Sequence, residues 1–407
     1  MSSRITRLLC RLPWSLAGVV VFAAALAACS GRKVALSNDA YVWQRQWTPS
    51  LTQAVRQSND VVTEWRVLAG QLDEQGNWRT FSPDWVALAA TGKPVVSVVR
   101  IEAQLAPWDD ATLLAEIQPL LDAWRGHGLT LAGVEIDCDC ATERLPAYAE
   151  FLAALRARMK PGERLSITAS PSWLGSTALD GVLAQADEAV LQVHAVQSPR
   201  AGLFNPSTAR ASMADFASRT HKPWRVALPT YGMRGSVDEQ GRITTIESEQ
   251  STWVAGASAS ELFADPQAMQ RFVAAMESDA PRGLAGIAWF RLPTDDDRRA
   301  WSLATWRAVL ARLPLKASLL GVARSKGGSA LQDLVLINTG NADVSLPLLV
   351  RVNAACDTAD GINGYTLLRT ARGLFLQRTQ GGLLRAGHQL NIGWLRCGRG
   401  TAALHIE

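Results

Sequence analysis

Eight short apolar stretches, each followed by a segment of helical periodicity, constrain this chain of 407 residues more than any other feature. They lie at 40–43, 60–67, 93–101, 129–139, 165–169, 189–194, 224–229 and 284–290. The intervening segments 51–57, 85–90, 111–127, 145–159, 179–186, 209–218, 262–276 and 299–313 carry apolar residues every three or four positions. Near-continuous apolar strands are the mark of a parallel sheet covered by helices. A count of eight predicts an α/β fold, a (β/α)8 TIM barrel over residues 39–313. The alternative is an open doubly wound sheet, but no Gly-rich phosphate loop follows the first strand. A long polar connection at 232–252 is expected to hold a hairpin near Glu239-Gln240-Gly241. From Leu315 the pattern changes to short strands separated by Gly and Asn, which predicts a C-terminal antiparallel β-sandwich-like domain over 314–407.

The first residues are not part of that fold. Arg4, Arg7 and Arg11 precede an apolar run from Trp14 to Leu26, the layout of a secretion signal over 1–28. Leu26-Ala27-Ala28-Cys29 resembles a bacterial lipobox, which implies lipidation of Cys29 and a linker over 29–38. An uncleaved anchor or a cut near Ala28 are the alternatives. Ser30 rather than Asp follows the cysteine, so the expected place is an outer-membrane lipoprotein facing the periplasm or the cell surface. Without the three leader arginines, the 41 basic residues fall to 38 against 37 acids, a net charge of +1. No basic tract stands out, so nucleic acid is not an expected partner. In an oxidising compartment Cys356 and Cys397 are expected to pair.

The fourth strand carries the chemistry. In Gly133-Val134-Glu135-Ile136-Asp137-Cys138-Asp139 three carboxylates alternate, so all three project from one face. Unpaired buried charge is costly, so such crowding fits a strand that opens onto a polar site. A structural ion network on the barrel floor is the competing explanation. Cys138 and Cys140 face the other way and read as wall packing; with no histidine cluster beside them, a metal site is not expected.

Barrel enzymes place their chemistry at the C-terminal strand ends. Asp139 is outermost there and is expected to be a general acid, with Asp137 raising its pKa by like-charge repulsion. Glu135 lies deepest and is expected to meet Arg66 or Arg100. Glu64, Arg100, Gln192, His194, Tyr231 and Trp289 are the expected substrate-binding groups, a mixture of polar and aromatic side chains suited to sugars. Asp295-Asp296-Asp297 reads as a cap for the last helix.

The motif resembles that of glycoside hydrolase family 18, the chitinase-like group. Gly133 matches the motif glycine, Glu135 and Asp137 two of its acids, and Asp139 the catalytic glutamate; Ala132 stands where that family has its first aspartate. Trp289 resembles the tryptophan beneath the reacting sugar. The Tyr-Asp pair of that family is missing from Leu191-Gln192-Val193-His194. The chain is still more similar to the bacterial family DUF3142, through Ile136-Asp137-Cys138-Asp139, Thr142 and Arg144-Leu145-Pro146-Ala147-Tyr148. These resemblances imply a glycosidase-like lipoprotein acting on an envelope or exported polysaccharide, without metal or organic cofactor. The rival expectation is a glycan-binding or envelope-assembly protein that has lost turnover. Nothing in the sequence specifies an oligomeric state.

Overall fold

A computed structural model describes residues 35–406, except 103–108, 195–202, 238–242, 248–257, 298, 326–329, 354–355, 357, 380–381 and 398–401. The expected leader and Cys29 lie outside the described residues, among which no helix is long and apolar enough to cross a membrane.

Eight parallel strands form the barrel: β1 (Ser37–Val42), β2 (Glu64–Leu72), β3 (Val95–Ile101), β4 (Leu131–Cys138), β5 (Arg164–Ala169), β6 (Glu188–Gln192), β7 (Trp224–Pro229) and β8 (Leu284–Phe290). β1 pairs in parallel with both β8 and β2, which closes the ring and excludes the open sheet. Helices α1 (Pro49–Ser58), α2 (Trp85–Ala89), α3 (Asp110–Arg125), α4 (Leu145–Arg156), α5 (Leu179–Gln185), α6 (Pro206–Arg219), α7 (Pro266–Ser278) and α8 (Leu303–Leu310) cover it. Thr48, Asp84, Asp109, Asn205, Asp265 and Ser302 cap helix N-termini with their side chains. Ser302 is the cap of α8, so Asp295-Asp296-Asp297 does not have the capping role expected of it.

The main core lies between strands and helices. Val95, Val99 and Ile101 of β3 pack there with Leu113, Leu114 and Ile117 of α3. Inward positions are different: a small apolar layer of Tyr41, Leu68, Val98, Val190, Ala227 and Ala288 sits above a charged one. In the charged layer Arg66 is wholly buried and bonds Asp39, Glu64, Glu135 and Glu188. Arg225 lies 3.0 Å from Asp39 and 3.1 Å from Glu188, and Arg164 reaches Glu64 at 2.5 Å. At Gly133 β4 passes close against β5, since a Cβ there would overlap the Arg164 carbonyl.

β2 begins four residues later than expected. Val61 and Val62 belong to the turn after α1, where their amides bond the Ser58 carbonyl. β1 begins at Ser37, two residues before the expected boundary. The polar connection forms an antiparallel sheet of Gly232–Val237, Ile243–Glu247 and Ser258–Phe263; the expected turn at 239–241 lies outside the described residues. The C-terminal domain has two four-stranded antiparallel sheets that share one core, including Leu336 and Ile392 from one and Val352 and Leu376 from the other. Cys356 and Cys397 are joined as a disulfide.

Burial raises the Asp39 pKa from 3.8 to about 6, against the pull of Arg66 and Arg225. The folded state therefore holds this proton more tightly than the unfolded chain. Its stabilisation is complete below 3.8 and is lost as pH rises through about 6. Asp39→Asn should abolish that loss, so its stability should fall less between pH 4 and 7 than the parent's, by roughly 2 kcal/mol. Urea unfolding at the two pH values measures the difference.

Candidate functional site

A cavity of about 880 Å³ opens at the C-terminal ends of the strands. Its floor is made by the side chains that follow the apolar layer. Asp137 is inward on β4, and Asp139 follows one residue past the strand. Arg100 on β3 pairs in register with Asp137 and ties the carboxylates together. Its Nη1 donates to Asp137 at 2.9 Å, its Nη2 to Asp139 at 2.6 Å and its Nε to Glu102 at 2.8 Å. Thr168 Oγ1 and Gln192 Nε2 donate to the other oxygen of Asp137, at 2.6 and 3.0 Å. Asp137 is buried, whereas the Asp139 side chain is 36% exposed to the cavity. Burial and the neighbouring charge of Asp137 raise the Asp139 pKa to about 6, against the opposing pull of Arg100.

Aromatic side chains make one wall. Trp43, Tyr231 and Phe290 line the cavity, and His194 stacks on Phe290 with ring centroids 5.3 Å apart. Burial lowers the His194 pKa to about 4, so the imidazole is neutral near pH 7. The Tyr231 hydroxyl lies 3.4 Å from His194 Nδ1.

Of the expected site residues, Asp137, Asp139, Arg100, Gln192, His194 and Tyr231 come together around this cavity. Three do not. Trp289 is fully buried on the outer side of β8, packed edge-on to Trp306 with its Nε1 donating to Asn38, so it is not a sugar platform. Ala288 faces the crowded interior, where a small residue fits, and this phase sends Trp289 outward and Phe290 to the cavity. Glu64 opens β2 at the opposite end of the barrel, bound to Arg66 and Arg164, and is not a substrate-binding residue. Glu135 has no exposed surface; Arg66, Tyr41 and Ser166 hold it, so it cannot touch a substrate. Its role is structural. Thr168 was not singled out by sequence, although inward alternation from Ser166 on β5 points to it.

The opposite rim is the segment after β8. Arg291 donates from Nε to Asp297 at 2.7 Å and lies over the Tyr231 ring, while Thr48 donates to Asp296 at 2.7 Å. The C-terminal domain braces this rim from behind. Arg385 donates to the carbonyls of Thr294, Asp295 and Asp297 at 2.8, 2.7 and 3.2 Å. Asp343 accepts from the Ser302 and Thr305 hydroxyls at 2.8 and 2.9 Å. Arg385→Met should therefore speed amide exchange across residues 292–300 by about tenfold, since bonds from a charged donor are worth 1.5–3 kcal/mol. Hydrogen-exchange mass spectrometry checks this; unchanged exchange would mean that the barrel-side bonds hold the rim alone.

Two family models match the chain: Domain of unknown function (DUF3142) over residues 91–295 and Domain of unknown function (DUF8456) over 322–398. No curated protein sequence matches. Among solved structures, the spore cortex-lytic enzyme SleL of Bacillus cereus is similar with a TM-score of 0.51 and 15% identity, over 69% of this chain and 74% of that one. SleL of Bacillus megaterium QM B1551 gives 0.49 and 12%, over 67% and 73%. A chitinase of Chromobacterium violaceum gives 0.48 and 13%, over 69% and 100%. At such identities the likeness is one of fold, a barrel resembling that of the Bacillus cereus SleL structure. The DUF3142 model spans the barrel from just before β3 to the rim after β8, including Asp137 and Asp139, and the chain belongs to that family.

Proposed function

We propose that this protein is a glycoside hydrolase-like lipoprotein, anchored through Cys29, that acts on an envelope or exported polysaccharide. The supporting observation is the placement of Asp139 at the open end of a glycosidase-like barrel, with Asp137 behind it and its pKa raised to about 6. In this reading Asp139 gives its proton to the bridging oxygen as the glycosidic bond breaks. Water supplies hydroxide to the anomeric carbon, and its remaining proton restores Asp139. Asp137 keeps the proton on its neighbour. Gln192, His194 and Tyr231 orient the sugar, and Phe290 and Trp43 give its apolar face a wall.

A second reading rests on the Arg100–Asp139 bond. A guanidinium on the outermost acid favours its ionised form, which suits glycan binding without turnover. One comparison separates the two. The full chain is incubated with bacterial exopolysaccharides and peptidoglycan, and new reducing ends are followed. Asp139→Asn should lower product formation by about 10²-fold or more while substrate is still bound. Cleavage should fall as pH rises through about 6, and Asp137→Asn should move that fall to lower pH, because it removes the charge that raises Asp139. Binding without product from the unmodified chain would select the second reading.

A further inference from the structure

The floor of the cavity is out of charge balance. Glu102, Asp137 and Asp139 share one guanidinium, and each of its three nitrogens is already engaged. Asp137 is satisfied on both oxygens by Arg100, Thr168 and Gln192. Asp139 and Glu102 are not. Each meets Arg100 through one oxygen and is partly exposed, by 36% and 24%. The second oxygen of Glu102 has room for a donor from a ligand, and that of Asp139 is the one left to carry its proton.

The remaining charges of the cavity do not supply that donor. Arg291 is engaged with Asp297, Arg45 with Gln71 through Nε and Nη2, and Arg79 lies 3.7 Å from Asp73. These cations belong to the rim, together with Asp296. His194, which also lines the cavity, is only 7% exposed, and its Nε2 has no hydrogen-bond partner among the described residues. Burial keeps it uncharged near pH 7, so it adds a polar group to the wall without offsetting the acids. Among the described residues no group of three or more His, Cys, Asp or Glu has the geometry to hold a metal ion. What remains is an acceptor-rich floor with a surplus of negative charge, and a neutral polar group left unmatched beside it.

We infer that the substrate of this cavity is a cationic glycan, an amino-sugar polymer in which the sugar nitrogen is a free ammonium rather than an acetamide. An ammonium carries three donors and one positive charge, so it can donate to Glu102 and correct the one-charge surplus that Glu102 and Asp137 leave against Arg100 while Asp139 holds its proton. A hydroxyl would meet one oxygen and leave the charge in place. The inference rests on the cavity being a glycan site, as proposed above.

The test compares three probes of one length by titration calorimetry on the full chain at about pH 6, where a sugar amine is protonated. The probes are glucosamine hexamer, N-acetylglucosamine hexamer and cellohexaose. Glucosamine hexamer should bind about tenfold tighter than either of the others, and added salt should erode the preference. Glu102→Gln should reduce the preference severalfold, and Asp139→Asn, which removes little charge while Asp139 is protonated, should reduce it less. Their unchanged circular dichroism would show that folding is not the cause. Equal or tighter binding of an uncharged hexamer would overturn the charge inference and leave the glycan reading standing. A glucosamine preference that survives Glu102→Gln would also overturn it, because the cation would then sit elsewhere. If none of the three hexamers binds, the inference falls together with the glycan reading.

Discussion

Two arginines divide the carboxylates inside the barrel between them. Arg66 lies deep and takes Asp39, Glu64, Glu135 and Glu188; Arg100 lies toward the open end and takes Glu102, Asp137 and Asp139. β4 runs past both, so its three alternating acids are assigned by depth. Glu135 falls to the lower arginine and is locked away, whereas Asp137 and Asp139 fall to the upper one and face the cavity. Removing one partner from a buried network of this kind typically costs about 3–5 kcal/mol, far more than a surface pair contributes. The lower network therefore fixes the register of β4 and, through it, the height at which the outer acids emerge.

The two networks also differ electrostatically. In the lower one, Arg66, Arg225 and Arg164 draw the Glu188 pKa down to about 2 in spite of its burial, while burial dominates at Asp39. With Asp39 protonated, three acids face three guanidiniums and the layer is balanced. In the upper one, a single guanidinium serves three acids, two of which stay charged when Asp139 is protonated, and the imbalance opens onto solvent. A charge deficit that would be destabilising in a closed core is tolerable where a cavity admits water or a ligand.

Much of this was legible from sequence because parallel barrel strands are nearly continuous apolar runs. β7 and β8 lie where the hydrophobic pattern puts them, and the alternation in Glu135-Ile136-Asp137-Cys138-Asp139 does place the acids on one face and the cysteines on the other, in the core. The sequence was misleading where a choice depended on the interior. Ala288-Trp289-Phe290 offers two adjacent aromatics, and only the crowding inside the barrel decides which one faces in. Glu64 and Arg66 look like the polar end of a strand, but they belong to the buried network at its beginning. The acids at 295–297 resemble a helix cap, yet α8 starts later, at Ser302, and Asp297 serves Arg291 instead. Long-range partners such as Arg385 leave no local signal, since its three carbonyl acceptors are about ninety residues away.

The account depends on Asp139 holding a proton that an ordinary surface aspartate would have lost. Its side-chain carboxyl can be followed by carbon-13 NMR across a pH titration, assigned by comparison with Asp139→Asn. The structure requires a midpoint near 6 that drops when Asp137 is replaced by Asn and rises when Arg100 is replaced by Gln. A midpoint at or below 3.8, indifferent to both substitutions, would contradict it.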